Sequence, residues 1–387
     1  MNQKRASQAN ADIVIIGAGI IGAACAYRLA QDGYRVLILD NGTAAATAAG
    51  MGHLVCLDDN PAELALSHYS ISLWRQLANQ MPESCAWSDC GTLWLANNAD
   101  EMEIARQKKQ RLSEWQIESQ LLNASQVALA EPMLRSGLAG GLVVPSDSIL
   151  YAPNVAKWLI NAASHRVTLQ QANVVGLEEQ NVILSDGRRI TAPAIILANG
   201  LRAIDLLPEL PLVAKKGHLA ITDRYPTRTT HQLVELGYAA SAHASSGTSV
   251  AFNVQPRPTG QLLIGSSRQF DTLDSNVELP ILRSMLQRAQ SYLPDLATMN
   301  IIRCWTGFRA ASPDGLPLLG QHPRYRGLWL AVGHEGLGVT TASGSADILA
   351  ALLQGHASPI DATPYLASRF LDSEPNPLSS PTAIDGV

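Results

Sequence analysis

The sequence predicts an α/β chain of two parts: a parallel-sheet domain assembled from separated segments, and an antiparallel-sheet domain of α+β character. Three observations predict it. Continuous apolar runs rich in β-branched residues recur at 13–16, 36–39, 194–198 and 328–332, as in strands buried on both faces. Helical stretches follow the first and the last of these runs. Residues 215–270 differ, with short β-rich segments broken by turns, which suits hairpins.

In chain order, strand 13–16 leads through glycines to a helix over 20–31, stopped at Asp32-Gly33. Strand 36–39 follows and ends in Asp40, closing a β-α-β unit of about 30 residues. Residues 61–80 read as a Leu- and Ala-rich helix, 86–96 as short strand-like pieces, and 100–115 as a charged surface helix. Between 141 and 174 a strand and a helix (154–163) lead back toward the first sheet, where 194–198 is closed by Asn199-Gly200. Segments 218–222, 249–254 and 261–265, the last after a turn at 256–260, form the second sheet. Helices over 280–291 and 341–353 complete the pattern, and no internal repeat is present. The expected division is 11–85, 145–212 and 300–360 for the first domain, 86–144 and 213–299 for the second, and 361–387 as a tail.

Composition narrows the function. The chain's 387 residues are 47% hydrophobic and 16% charged, enough for a substantial core and unlike a disordered segment. Net charge is −5 with no basic run, which argues against nucleic acid as a partner. Five cysteines without a CxxC pair indicate neither a disulfide framework nor a metal site, and a reducing, cytoplasmic setting is expected. Residues 1–10 lack the apolar core of a secretory signal. The most apolar stretch, 13–26, falls short of the roughly 20 residues that span a bilayer, so no membrane insertion is expected.

Four motifs carry chemistry. Gly17-x-Gly19-x-x-Gly22 follows a strand and opens a helix. There the first glycine permits a tight turn, the second a close approach to a pyrophosphate, and the third close helix–strand packing. With Asp40 at the end of the second strand, this is a Rossmann-type dinucleotide fingerprint; the bland alternative is a Gly-rich packing turn. The second motif, Thr47-Ala48-Ala49-Gly50-Met51-Gly52-His53, could lie flat against a planar ring or serve as a linker. The third runs from Gly307 to Gly320 and contains Arg309, which is either a structural ion-pair partner or a bidentate fork for a substrate carboxylate. In the fourth, Gly333-His334-Glu335-Gly336-Leu337-Gly338-Val339-Thr340, backbone N–H groups at a helix start could face an anionic oxygen. The rival reading is a routine turn with His334 packed in the core.

Taken in order, the four motifs resemble the FAD-dependent oxidoreductases of the D-amino-acid oxidase superfamily, over essentially the whole chain. The branch with glycine oxidase, sarcosine oxidase and D-hydroxyproline dehydrogenase looks nearest. The resemblance implies an FAD-binding domain in which Gly17, Gly19, Ile20 and Gly22 hold the pyrophosphate, and Asp40 with Asn41 the adenosine ribose. It places Thr47, Ala48, Ala49, Gly50 and Met51 along the isoalloxazine, Val174 at the adenine, and Gly200 on the cofactor side. Gly333, His334, Gly336, Leu337, Gly338, Val339 and Thr340 match a second flavin-contact loop, and Arg309 the arginine that binds the substrate carboxylate. Gly336 stands where glycine oxidase-like members carry a second arginine. Segments 215–218 and 252–257, and the loop 333–338, are instead similar to hydroxyproline and opine dehydrogenases, some of which work beside small iron–sulfur subunits.

The reaction this resemblance implies is hydride transfer from Cα of an amino acid to flavin N5, with a D-amino acid or cyclic secondary amino acid of D-hydroxyproline or D-proline type as substrate. His53, Glu335 and His218 are candidates for contacting the amine or a ring substituent. Partners are a small amino acid and either iron–sulfur subunits or copies of this chain. The alternatives are a stand-alone glycine or sarcosine-type oxidase, an opine dehydrogenase subunit, and a flavin-bearing electron-transfer subunit without turnover.

Overall fold

A computed structural model describes residues 11–371 apart from Asp58, Glu179, Asp271, 227–228 and 238–246. Its first sheet has six strands in the order Leu318–Gln321, Leu328–Val332, Ala194–Leu197, Ile13–Ile16, Val36–Asp40, Val167–Gln171. All neighbours are parallel except the outermost pair, Leu318–Gln321 with Leu328–Val332. The unbroken apolar runs have a direct cause. Ile13 and Ile15 enter one core with helices Ile20–Gln31 and Gly338–Leu353, while Val14 and Ile16 enter another with Val182, Leu207 and Leu330. Alternate residues thus serve opposite faces, each buried side chain contributing about 1.5–3 kcal/mol. A three-stranded sheet, Val174–Glu178, Asn181–Leu184 and Arg189–Thr191, covers part of the second face.

The second sheet has eight strands in the order Ile301–Ala311, Val213–Thr222, Leu262–Gln269, Thr248–Pro256, Gln232–Glu235, Thr92–Ala96, Gly140–Val144, Gln120–Asn123. Helix Leu279–Tyr292 covers its outer face, setting Met285, Ala289 and Tyr292 against Ala220, Phe252 and Ile264. The rings of Phe252 and Tyr292 stack with centroids 4.2 Å apart.

Three expectations need correction. The sheet is mixed, because Gln232–Glu235 pairs in parallel with Thr92–Ala96, two strands that come from separate excursions of the chain. Ile301–Ala311 belongs to this sheet and not to the first domain: it pairs along its length with Val213–Thr222. Nor are residues 361–371 a tail. Tyr365 is buried, Leu366 bridges Leu319 of the first sheet, and Arg369 donates to Asp314. Residues 372–387 lie outside the described residues.

Candidate active site

The fingerprint turn is built by contact. Gly17 adopts φ +109°, and a Cβ there would stand 2.7 Å from the Ala198 carbonyl oxygen. A Cβ at Gly22 would lie 2.0 Å from the oxygen of Gly17, so strand, turn and helix pass without room for a side chain. Gly19 gives helix Ile20–Gln31 no side-chain cap; Thr47 Oγ1 accepts the Ile20 N–H instead, at 3.0 Å. Asp40 accepts the N–H groups of Ala18 and Gly42, both at 2.7 Å, and its own carbonyl accepts from Ala172. That last bond brings Asn173 and Val174 beside Asp40 and Asn41, whose amide reaches Asn173 at 3.5 Å. Asn199 Oδ1, between Gly17 and Gly200, is buried with no partner among the described residues.

A second helix start converges on the first. Helix Gly338–Leu353 has no side-chain cap, and a Cβ on Gly338 would come within 3.9 Å of Ile21. Two helix N-termini with a glycine turn between them suit a diphosphate and a polarised ring carbonyl. Gly333 turns the chain with φ +79°, and Thr340 Oγ1 donates to the His53 carbonyl at 2.9 Å. His334 contributes backbone only: its imidazole lies against Ser345 Oγ at 3.1 Å, and burial pushes its pKa down to about 3.

Residues Ala46–Ala49 form a single helical turn, not the flat strip that small residues suggested. The second sheet presses on this turn. Trp305 Nε1 donates to the Ala49 carbonyl at 3.1 Å, and a Cβ on Gly307 would sit 2.3 Å from the Cβ of Ala49. Met51 lies over Gly265, among Leu219 and Leu263.

Register sorts the residues facing this loop. Lys215, Gly217 and Leu219 stand opposite Arg309, Gly307 and Trp305, and Asn253 opposite Gly265. The inner face therefore has a charged end, a middle of glycine and apolar residues, and an amide-rich end. At the amide end Gln232 Nε2 donates to the Ser148 carbonyl at 3.3 Å, which turns its Oε1 toward His53 Nδ1. His53 then donates from Nδ1, and Nε2 accepts from Asn253 Nδ2 at 3.1 Å. Burial lowers the His53 pKa to about 4, so the ring is neutral near pH 7. With both nitrogens engaged, His53 positions Asn253 and is not a proton-exchange group. His218 is committed likewise, Nε2 accepting from the Glu278 N–H at 3.0 Å and Nδ1 meeting Ser267 Oγ at 2.9 Å.

At the charged end the two terminal nitrogens of Arg309 sit beside Gly217, one of them donating to the Ser267 carbonyl at 3.3 Å; its stem runs alongside Gly336. Glu335 takes φ +48° and reaches Arg268 at 3.4 Å and Lys215 at 3.7 Å. Burial alone would raise its pKa. Arg309, Arg268 and Lys215 outweigh burial and hold the carboxyl below its usual range.

A family model described as DAO, FAD dependent oxidoreductase, matches residues 12–352. The chain belongs to this family. Glycine oxidase of Pseudomonas aeruginosa is 28% identical over 381 residues, covering 91% of this chain and 97% of its own. An opine oxidase subunit of Rhizobium meliloti is 25% identical over 389 residues, covering 93% and 97%. The solved glycine oxidase of Geobacillus kaustophilus matches with a TM-score of 0.83 at 25% identity, over 93% of this chain and 98% of that one. This chain is an FAD-dependent oxidoreductase acting on amino acids. The glycine turn and the two helix starts fit that cofactor. The Gly17–Gly22 turn would hold its pyrophosphate, and the 46–51 and 333–340 loops its ring.

Sequence reasoning did not find Arg268, Gln232 or Asn253 as site residues. Asn253 falls in the predicted segment 249–254, but Gln232 lies outside every predicted strand and Arg268 beyond the predicted end of 261–265, and which face turns toward the flavin loop is set by pairing between distant strands.

Proposed function

We propose that this chain dehydrogenates the Cα–N bond of a D-amino acid or cyclic secondary amino acid of D-hydroxyproline or D-proline type, as the flavin subunit of a heteromeric dehydrogenase. The observation that carries the reading is the placement of Arg309, two residues from Gly307 and on the same face of the same strand, with Gly307 in contact with the flavin loop. A guanidinium so held takes a carboxylate bidentately and sets the neighbouring Cα toward that loop. FAD, when bound, supplies the two-electron acceptor for the hydride.

The protein's own groups do the rest. Leu219, Leu263, Met51 and Trp305 make an apolar middle that excludes water. The cations at the charged end disfavour an ammonium and so favour the neutral, reactive amine. Neither His53 nor His218 has a ring nitrogen left for proton abstraction, which agrees with a hydride mechanism that needs no base. Similarity to an opine oxidase subunit and glycine at position 336 support a subunit that passes electrons to small iron–sulfur partners. The glycine oxidase relatives favour a second reading, a stand-alone oxidase.

An anaerobic screen tests both. Flavin absorbance should bleach with a cyclic or D-amino acid, and dye reduction should outpace peroxide formation in air. Stoichiometric, rapid peroxide transfers the assignment to the oxidase. Absence of bleaching by any amino acid or N-alkyl amino acid refutes both readings.

A further inference from the structure

Beside the substrate arginine stands a second group of charges. Lys215 is the direct antiparallel neighbour of Arg309, and Arg268 meets the same carboxylate as Lys215. That carboxylate, Glu335, comes from the other domain, on the loop after strand Leu328–Val332. The side chains of Lys215, Arg268 and Glu335 are 18%, 10% and 15% exposed, so water screens them poorly while none is sealed off. Glu335 also holds a left-handed backbone conformation, uncommon for a residue with a Cβ and flanked here by Gly336, which would adopt it freely.

We propose that Glu335 determines specificity: it fills an anion subsite made by Lys215 and Arg268 next to Arg309, and so restricts the enzyme to amino acids with one carboxylate. The inference rests on Arg309 as the carboxylate anchor. A substrate held there with a second acid group would bring it toward the Glu335 carboxylate, a like-charge contact in a poorly screened site. With Glu335 neutral, the same acid group would meet Lys215 and Arg268. Specificity of this kind comes from repulsion built against the wrong ligand as much as from contacts to the right one.

The test uses the flavin-loaded full chain and substrate pairs that differ only in charge: D-glutamine with D-glutamate, and the monoamide of iminodiacetate with iminodiacetate. Wild type should favour the neutral member in kcat/KM by at least about tenfold. Glu335→Gln should shrink that ratio by about tenfold or invert it, whereas Lys215→Gln should enlarge it. A wild-type ratio near one overturns the proposal, as does an unchanged ratio in Glu335→Gln with flavin content preserved. Should Glu335→Gln lose flavin, Lys215→Gln decides, and an unchanged or smaller ratio there is equally fatal. A wild-type chain that no amino acid reduces fails at Arg309 itself. Equal turnover of both members fails at Glu335 alone.

Discussion

Gly217→Ala isolates the position of Arg309 from its charge. Gly217 is paired with Gly307 and does not hold a left-handed φ, so alanine meets no φ penalty, and its one tight backbone approach, to the Ser267 carbonyl, should lower Tm only slightly. Its Cβ, however, would stand 2.8 Å and 2.9 Å from the two terminal nitrogens of Arg309 and 3.0 Å from the Ser267 carbonyl oxygen. Comfortable contact begins near 3.5 Å, so the guanidinium must retreat by roughly 0.6 Å, being the soft end of a flexible side chain. A misplacement of 1 Å costs about a hundredfold in rate when it shifts the reacting geometry, so this smaller shift should lower kcat/KM by about 10- to 30-fold. The assay is anaerobic stopped-flow reduction of the bound flavin across amino-acid concentration, with melting followed in parallel. Combining the change with Arg309→Lys should cost little more than Arg309→Lys alone, since both act on one contact. Unaltered kinetics in a folded, flavin-loaded Gly217→Ala protein would show that the fork over Gly217 is not what holds substrate.

Arg309→Lys should raise KM by about 30-fold, because one charge-assisted hydrogen bond of the pair, worth about 2 kcal/mol, is lost; steady-state kinetics reads it. Gly307→Ala forces a Cβ to 2.3 Å from that of Ala49 and should weaken flavin retention, seen as a lower flavin-to-protein absorbance ratio after gel filtration. His53 and His334 have folded pKa values of about 4 and about 3 against an ordinary 6.5, so the stability they contribute is full above 6.5 and drains as pH falls toward those values. Buried Asp147, raised to about 7 by desolvation, works oppositely: its contribution is full below 3.8 and is lost as pH rises through 7. With His322, also lowered to about 4, three histidines against one carboxyl leave a loss on the order of 2.7 kcal/mol per pH unit between 6.5 and 4, and Asp147→Asn should steepen that slope by about half in denaturant titrations.

Much of this was legible because the fingerprint unit of the first domain is local. Strand, glycine turn, helix and Asp40 fall within one short stretch, and the predicted helix over 20–31 is Ile20–Gln31 in the structure. The helix predicted over 341–353 starts three residues earlier, at Gly338, since glycine hides a helix start and no side-chain cap announces it. The second domain was less readable. Gln232–Glu235 is four residues long and pairs with a strand more than a hundred residues away, a partnership that no local period encodes. Arg309 could be singled out by its residue type, whereas the role of Gly307 depended on Ala49 arriving from the other end of the chain.

That dependence explains how one strand can serve both ligands. Trp305, Gly307 and Arg309 alternate along Ile301–Ala311, so all three project to one face with Cα atoms about 6.7 Å apart from one to the next. Trp305 bonds the 46–49 turn, Gly307 lets that turn press against the sheet, and Arg309 is the residue we propose for the acid group of the substrate. The separation between cofactor loop and carboxylate anchor is then fixed by strand geometry, with no loop or hinge intervening. A rigid spacing of this kind is what hydride transfer requires, because its rate falls steeply once donor and acceptor leave contact. Lys215, Gly217 and Leu219 repeat the same spacing on the adjacent strand, so the residue that positions the fork and the cation that meets Glu335 are set by the same pleat.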